Sequence, residues 1–450
     1  MQKTYSGDGS RTTWSFSFWT KLGKSPPYNT TRGMFLIAYN TSSGAQEDIR
    51  IEGSNQQLQW FTHNDGGTGT LADLKTTQYL RDHSAWYHIL CVADRTNAIA
   101  SERQRMYING QRVTDFATET YPSQSAEGHV GKSADVHYIG SRAGNSSTRI
   151  DGYMAEIHYL DGLAYDPSFF GEFNSSGIWI PKEYTGSYGT NGFKIDGRDS
   201  SDLGDDESGN GNDYTSYNFA TNDQVSDSPT NNFAVLNQLD KGSNTTLTNG
   251  NLEFTSSNDG GVRSTVFFNA DKYYIEAIVG TYGNAFTFGI SNADRSLSAD
   301  AGTDLADFYG WYINPTQNWI ASGSNPWNTG SNSASGSLDV MQMAVDASDP
   351  SSIKLYAGIN NTYYNSSGGT DGNPSSGSNP TATITGGEEW SIGFWNRDAS
   401  ASNILVNFGQ EGTFGGNKTA GGNSDANGIG NFFHSVPTGF KALCTKNLGS

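Results

Sequence analysis

The stretch WSFSFW, residues Trp14–Trp19, alternates aromatic and small polar side chains. Successive side chains of a β-strand point to opposite faces of a sheet, so this spacing predicts a half-buried strand with Trp14, Phe16 and Phe18 on its buried face. Short runs of aromatic and β-branched residues recur along the rest of the chain, separated by clusters of Gly, Asn, Asp and Ser. Because such clusters form turns, the pattern predicts antiparallel β-structure throughout.

The composition fits the same fold class and indicates the number of domains. Aromatic residues make up 12% of the 450 residues and 55 residues are glycine, whereas long helices need more Ala, Leu, Glu and Lys. A single hydrophobic core stops growing at about 250 to 300 residues, which points to two domains. We therefore predict an all-β protein with two antiparallel β-sandwich (jelly-roll) domains, 1–172 and 233–450, joined by a Gly/Asn/Asp-rich connector, 173–232.

The charge and hydropathy of the chain exclude several classes of partner. The sequence has 27 Lys and Arg against 46 Asp and Glu, which gives a formal net charge of −19. This charge repels a phosphate backbone, so nucleic acid is not expected as a partner. No stretch approaches the ~20 apolar residues of a membrane-spanning helix, and the first residues lack the apolar core of a signal peptide. We expect a protein made in the cytoplasm, without membrane insertion.

Two short features make local predictions. Asn109-Gly110 lies between two strand-like runs and predicts a hairpin with a type I′ turn, because that turn needs positive φ at both central residues. Cys91 lies in an apolar run of strand length, far along the chain from Cys444. Free thiols are therefore favoured over a disulfide.

One segment of the connector, DLGDDESGNGND at residues 202–213, is rich in oxygen-bearing side chains. Oxygen ligands at near-alternate positions suit a hard cation such as calcium. The spacing does not follow the EF-hand pattern and lacks its closing Glu, so a loop held by Asx-turns is the favoured alternative. Under the calcium interpretation, the ligands are Asp202, Asp205, Asp206, Asn210 and Asn212.

Aromatic residues beside a Gly/Ser/Asn-rich stretch are the best candidates for sugar binding, because their faces stack on the C–H surfaces of pyranose rings. Most Trp residues lie in alternating strand patterns and are expected in the core, Trp311 among them. The stretch 322–336 is predicted to be a long surface loop, and Asn325–Asn328 within it to be a turn. The ligand-binding residues predicted here are Tyr309, Trp319, Asn325, Trp327 and Asn328.

The sequence contains none of the common patterns of catalytic residues. A glycoside hydrolase needs two carboxylates about 5 to 9 Å apart. The nearest candidate, Glu47–Glu52, has the wrong spacing, and Glu156 stands alone on its strand. No nucleophile elbow or phosphate-binding loop is present. We predict no catalytic residues and do not expect an enzyme.

The first ~170 residues resemble the concanavalin-like, laminin-G-type lectin fold, in the variant common in tail and fibre proteins of marine bacteriophages. Four blocks carry the resemblance in order: WSFSFWTK at 14–21, SAWYHI at 84–89, RMYING at 105–110 and DGYMAEI at 151–157. The sequence lacks the opening strand that such domains usually carry before the first block. Because an uncovered edge strand invites pairing, we expect the connector or a neighbouring subunit to supply the missing edge.

Residues 233–450 resemble a SPRY domain, a bent sandwich of two antiparallel sheets that acts as a protein-interaction module. Six blocks carry this resemblance: KYYIE at 272–276, LDV at 338–340 with AVD at 344–346, KLY at 354–356 with GIN at 358–360, WSIGFW at 390–395, NFGQ at 407–410 and PTGFKAL at 437–443.

The two resemblances together imply a structural protein of a bacteriophage virion, such as a tail fibre, spike or capsid-surface fibre. We expect it at the virion surface, in contact with other virion proteins and binding a polysaccharide or receptor of the host cell surface. By analogy with fibres it is expected to form a homo-oligomer, taken as a trimer. Two alternatives remain open: a purely architectural protein without a host ligand, and a polysaccharide depolymerase.

Overall fold

The computed structural model describes most of the chain. Outside the described part lie residues 24–31, 53–54, 143, 282–284, 299–306, 314–317, 323–324, 329–338, 386, 398–401 and 449–450, together with the side chains of 221, 318–322 and 325–328. The chain forms two compact units, Met1–Gln224 and Val225–Ser450. The predicted connector is thereby divided between them.

The regular secondary structure described in the first unit consists of strands and three-residue 3₁₀ helices. Its strands are β1 (Gln2–Lys3), β2 (Thr13–Leu22), β3 (Arg32–Tyr39), β4 (Gln46–Glu52), β5 (Gln57–His63), β6 (Thr70–Tyr79), β7 (Tyr87–Asp94), β8 (Gln104–Ile108), β9 (Gln111–Arg112), β10 (Phe116–Thr120), β11 (Val136–Ile139), β12 (Gly152–Asp161), β13 (Gly171–Phe173), β14 (Trp179–Pro181) and β15 (Phe193–Ile195). The 3₁₀ helices are Ala100–Glu102, Ser146–Thr148, Pro167–Phe169 and Thr221–Asp223.

These strands form a sandwich. One sheet has the order β1-β11-β3-β4-β5-β6-β10 and the other has the order β15-β12-β2-β7-β8-β9, and all pairings are antiparallel. Strands β13 and β14 form a separate hairpin. The two-residue turn Asn109-Gly110 between β8 and β9 has φ values of 49° and 76°, which confirms the predicted turn with positive φ at both positions.

The strand predicted from WSFSFW is β2, which lies at the centre of its sheet between β12 and β7. Trp14, Phe16 and Phe18 are fully buried in the core, as predicted. Ser15 and Ser17 are buried as well. The segment after β12 covers that face of the sheet, and the Ser15 hydroxyl donates to the carbonyl of Leu163 at 2.9 Å. The prediction of a half-buried strand is therefore wrong, because a third layer lies over the sheet.

The predicted connector completes this sandwich. Strand β15 pairs with β12 at the edge of the sheet, with Ile195 opposite Ile157, and Tyr214 is fully buried in the core. The expectation that the connector supplies an edge strand is confirmed. The prediction that an opening strand is missing before the first block is wrong, because the short strand β1 precedes that block and pairs with β11.

The second unit is also an antiparallel sandwich. Its strands are β16 (Leu236–Lys241), β17 (Thr245–Thr248), β18 (Glu253–Ser256), β19 (Gly260–Phe268), β20 (Lys272–Thr281), β21 (Ala285–Ser291), β22 (Phe308–Ile313), β23 (Asn318–Ser322), β24 (Asn325–Asn328), β25 (Val340–Asp346), β26 (Ser352–Ile359), β27 (Thr362–Tyr363), β28 (Ala382–Thr385), β29 (Trp390–Arg397) and β30 (Ser402–Asn407).

The sheets of the second unit have the orders β16-β19-β29-β21-β22-β23-β24 and β17-β18-β30-β20-β25-β26-β27, with β28 paired to β26. Trp311 is fully buried in the core, as predicted. The all-β fold class with antiparallel sandwiches is thus confirmed. No helix in the described residues is long and apolar enough to span a membrane.

Candidate functional site

A cleft of about 620 Å³ opens on the first unit, within the size range of small-ligand sites. Its lining includes residues of the paired strands β1 and β11, with Gln2 opposite Tyr138, and two further segments of the chain. We call residues 140–150, apart from residue 143, the arginine loop, and residues 217–223 the aromatic segment. All three parts belong to the first unit, so this unit forms the cleft by itself.

The arginine loop is held by hydrogen bonds among its own polar groups. The Thr148 hydroxyl donates to the carbonyl of Asn145 at 2.9 Å and accepts from the backbone N–H of Arg142 at 3.2 Å. Such side-chain to backbone bonds replace the ladder of regular structure in a loop. They fix the backbone at Arg142 and directly before Arg149, two cationic residues that line the cleft.

The two arginines differ in their surroundings. The guanidinium carbon of Arg142 lies 4.4 Å from the ring centroid of Tyr39, a cation–π contact that holds the side chain. Arg149 is exposed. Beside them, burial raises the pKa of Tyr138, although Arg142 acts in the opposite direction. Its phenol therefore stays neutral at physiological pH.

The aromatic segment is tied to β1. The backbones of Gln2 and Thr215 exchange two hydrogen bonds of 2.9 Å, and the Gln2 side-chain amide donates to the Tyr217 hydroxyl at 3.0 Å. Tyr217 and Phe219 nevertheless keep 53% and 45% of their surface exposed. Large aromatic side chains usually bury their rings, so two exposed rings at a cleft indicate a contact surface.

The chemistry of this lining is that of a binding site. Aromatic faces contact C–H surfaces, while guanidinium, amide and hydroxyl groups form hydrogen bonds with polar substituents. Asp223 is the only carboxylate in the described lining, and it accepts the N–H of Ala220 at 2.7 Å. A single engaged carboxylate does not form an acid–base pair.

These cleft residues were missed at the sequence level. Tyr217 and Phe219 lie in a polar stretch of the predicted connector, and the arginines are seven positions apart in another loop. Isolated aromatic residues in an otherwise polar segment were the only available signal. The cleft exists only because β1 brings these separate segments together.

Ser17 and His88 form a buried serine–histidine pair in the first unit, and their hydrogen bonds indicate a structural role. The Trp179 indole N–H donates to Nδ1 of His88 at 3.0 Å, so the neutral ring carries its proton on Nε2, which donates to the Ser17 hydroxyl at 2.8 Å. A histidine in this tautomer does not take a proton from serine. Burial lowers the pKa of His88 to about 3, with His158 acting in the same direction, and Ser17 is buried.

The carboxylates considered for a depolymerase lie in an ion-pair network on β4. The guanidinium of Arg50 forms ion pairs with Asp48, at 2.9 Å, and with Glu52, at 2.6 Å. Burial raises the pKa of Asp48 to about 6, against the effect of Arg50. Glycosidase carboxylates flank the scissile bond. Here Arg50 lies between the two carboxylates, which favours a structural role for them.

The sugar-binding residues predicted in the second unit lie on three neighbouring strands, β22, β23 and β24. Tyr309 is half-buried and packs edge-to-face on Trp390, with ring centroids 5.6 Å apart. The prediction of a turn at Asn325–Asn328 is wrong, because these residues form strand β24, which pairs with β23. Long-range pairing with β23 here overrides a local sequence typical of turns.

The strand register gives the backbone neighbours of the remaining predicted positions. Trp327 pairs with Ile320, which pairs with Trp311. Asn328 pairs with Trp319, which pairs with Tyr312. The side chains of residues 318–328 are outside the described part, and their role in binding stays a prediction.

The predicted calcium loop is closed by its own hydrogen bonds. The Asp206 carboxylate accepts the backbone N–H groups of Lys194, Ser208 and Asn212 at 2.8 to 2.9 Å. Asn210 donates to the carbonyl of Gly192 at 2.9 Å. These are the bonds of the favoured Asx-turn alternative.

The remaining predicted ligands of the calcium loop, Asp202 and Asp205, do not join Asp206 in a cluster. Asp202 accepts the N–H of Gly204 at 3.0 Å, and desolvation together with Asp213 and Asp202 raises the pKa of Asp205. In the part of the chain that the structure describes, no group of three or more His, Cys, Asp or Glu side chains is placed to hold a metal ion. The calcium site stays a prediction.

Comparisons with known proteins bear mainly on the first unit. The chain matches no curated protein. Two solved structures are similar to it at 10% identity: the PSpry domain of TRIM65, with a TM-score of 0.28, covering 39% of this chain and 91% of that chain, and the SPRY domain of human HERC1, with a TM-score of 0.27, covering 38% and 96%. TM-scores this low carry no argument. Residues 3–163 match a family model described as the concanavalin A-like lectin/glucanases superfamily, so the first unit contains a domain similar to that superfamily.

Proposed function

We propose that this protein binds glycans through the cleft of the first unit, as a surface component of a bacteriophage virion. The observation that carries the proposal is the pair of exposed rings, Tyr217 and Phe219, in a cleft that also presents guanidinium and amide groups. The similarity of residues 3–163 to a lectin-containing superfamily supports a binding role. Exposed aromatic faces flanked by polar groups suit sugar rings, which are apolar on one face and hydroxylated at the edge.

The test is a binding titration of the full chain against a panel of polysaccharides, by calorimetry, with Tyr217→Ala and Phe219→Ala. An aromatic contact contributes about 0.5 to 1.5 kcal/mol beyond its buried area, so each variant is expected to bind about 3- to 10-fold more weakly. Tyr79→Ala is the matched control, because Tyr79 is an exposed tyrosine on β6 that does not line the cleft. Equal affinity of the wild type and both cleft variants would refute the proposal.

The virion role rests on the resemblance of the two domains, in this order, to phage appendage proteins. We propose that the chain lies at the particle surface as a homo-oligomer, with a trimer as the first expectation. Mass spectrometry of purified particles tests its presence, and mass photometry of the isolated protein tests its stoichiometry. Absence from the particles would exclude the virion role while leaving glycan binding untouched.

A second candidate function, an architectural role, is favoured by an apolar surface on the first unit. Phe169, Phe173 and Ile178, around the hairpin of β13 and β14, are 44%, 52% and 60% exposed. Exposed apolar residues in one place mark protein contacts more often than isolated ones do. If this role is correct, Phe173→Ser with Ile178→Ser abolishes assembly and preserves glycan binding. Ile99→Ser, at an exposed residue elsewhere in the unit, serves as the control.

A further inference from the structure

We propose that the cleft of the first unit selects an acidic saccharide, one that carries carboxylate or sulfate groups, through Arg142 and Arg149. This inference rests on the proposed glycan binding and names the class of ligand. The cleft differs from the chain as a whole in the sign of its charge. The chain has a net charge of −19, whereas the charged side chains in the described cleft lining are two arginines and one aspartate.

Most arginines of the first unit form ion pairs, whereas Arg142 and Arg149, like Arg81 and Arg103, have none among the described residues. Arg11, Arg50 and Arg95 of the same unit each form an ion pair with a carboxylate. No carboxylate lies within 4.0 Å of the guanidinium of Arg142 or Arg149 among the residues that the structure describes. In a chain with excess carboxylates, two guanidinium groups that line the same cleft, without an ion pair among the described residues, can bind an anion from outside.

The position of Arg142 is suited to an anionic partner. Its guanidinium carbon lies over the Tyr39 ring, and this contact with the ring face uses none of the guanidinium N–H groups as a hydrogen-bond donor to a carboxylate. The edge of a guanidinium group binds carboxylate or sulfate oxygens through two parallel hydrogen bonds. The internal bonds of the arginine loop hold its backbone, so less conformational entropy is lost on binding.

The remaining lining fits the rest of a sugar. Tyr217 and Phe219 offer exposed ring faces for the C–H surface of the pyranose, and Asn145 offers an amide for its hydroxyl groups. Asp223, on the aromatic segment, repels an anion and therefore directs the acidic substituent towards the arginine loop. The cleft thus separates an apolar contact from a cationic one, as a charged pyranose requires.

The experiment compares dextran, dextran sulfate and polygalacturonate in calorimetric titrations with the full chain, because the three polymers are neutral, sulfated and carboxylated. We expect binding to at least one acidic polymer and binding to dextran at least tenfold weaker, since charge-assisted bonds are roughly twice as strong as neutral ones. Raising NaCl from about 50 mM to about 500 mM should weaken the acidic interaction, because the Debye length shortens. The stronger of the two acidic polymers identifies the substituent.

Three variants assign the effect to the cleft. Arg142→Gln and Arg149→Gln are each expected to weaken binding of the acidic polymer about 5-fold or more, because each removes one charged donor group. The matched control is Arg81→Gln, since the guanidinium carbon of Arg81 also lies over a tyrosine ring, 4.6 Å from the ring centroid of Tyr79, and Arg81 does not line the cleft. It should bind like the wild type.

The outcomes separate the two proposals. If dextran binds as tightly as the acidic polymers and only Tyr217→Ala weakens it, the acidic selectivity is wrong and glycan binding stands. If Arg81→Gln weakens binding as much as the cleft variants, attraction is spread over the surface and the assignment to Arg142 and Arg149 is overturned. If neither these polymers nor any other polysaccharide binds, both proposals fall.

Discussion

Replacement of Glu47 should strongly destabilise the first unit, because its buried carboxylate joins three parts of the sandwich. One oxygen accepts the indole N–H of Trp60 at 3.0 Å and the guanidinium of Arg95, and the other accepts the backbone N–H groups of His129 and Val130 at 2.8 and 3.1 Å. Both members of the ion pair are fully buried. A carboxylate is the one side chain that accepts all four bonds at this position.

The expected loss can be worked out from these contacts. Removing one partner of a buried ion pair costs about 3 to 5 kcal/mol, and each buried N–H left without an acceptor adds up to about 1 to 3 kcal/mol, without simple additivity. We therefore expect Glu47→Ala to lower the free energy of unfolding by about 5 kcal/mol, against about 5 to 15 kcal/mol for a typical domain. Glu47→Gln retains an acceptor and should lose about half as much.

The same contacts determine the effect of pH. Burial alone raises the pKa of Glu47, but Arg95, the N–H of Val130 and the Trp60 indole outweigh it, so that its pKa lies below the ordinary value of 4.5. A lowered folded-state pKa means that this stabilisation is present at neutral pH. It is lost as the pH falls through that pKa.

Hydrogen exchange with mass spectrometry measures the effect in the full chain. Amides of β4 and β5 should exchange much faster in Glu47→Ala, while β29 of the second unit serves as an internal reference. Glu119→Ala, at an exposed carboxylate on β10, is the matched control. A change of less than about 1 kcal/mol in the opening free energy of β5 in Glu47→Ala would show that the hydrogen bonds of Glu47 do not stabilise the first unit.

Three further predictions concern other residues. Gly261→Ala should destabilise the second unit by about 1 to 3 kcal/mol in urea unfolding, because the new methyl group would overlap the buried Trp395 indole; an unchanged midpoint would contradict this packing. Burial raises the pKa of Glu276 to about 7 from 4.5, so its contribution to stability is present below pH 4.5 and lost as the pH rises through 7. Thermal unfolding should show this slope in the wild type and a flatter one in Glu276→Gln, and equal slopes would refute it. Cys91 and Cys444 are free and buried, and burial raises the pKa of both thiols, so a thiol reagent should label them only after unfolding; rapid labelling of the native chain would argue against this burial.

The predictions that succeeded rest on local physics. Alternation of side chains places Trp14, Phe16 and Phe18 on one face of a strand whatever that strand pairs with, and the core location followed. The prediction of a turn at Asn109-Gly110 succeeded because few other residue pairs adopt positive φ at both positions. The core position of Trp311 was predicted correctly from its place within a strand.

The predictions that failed depended on partners distant in sequence. Asn325–Asn328 has the residues of a turn, yet pairing with β23 makes it a strand. Ser15 and Ser17 are of the type that faces water, yet the segment after β12 buries them. Residue type gave no indication of a third layer over the sheet.

The sequence by itself determined the fold class, the central strand and the tight hairpin of the first unit, since these depend on side-chain periodicity and backbone sterics within a few residues. Only the tertiary structure decided where the cleft lies. Tyr217 meets Gln2 across 215 positions of the sequence, and the arginine loop joins them from a third region. No local pattern encodes such a meeting, because it follows from the pairing of β1 with β11 and of Gln2 with Thr215.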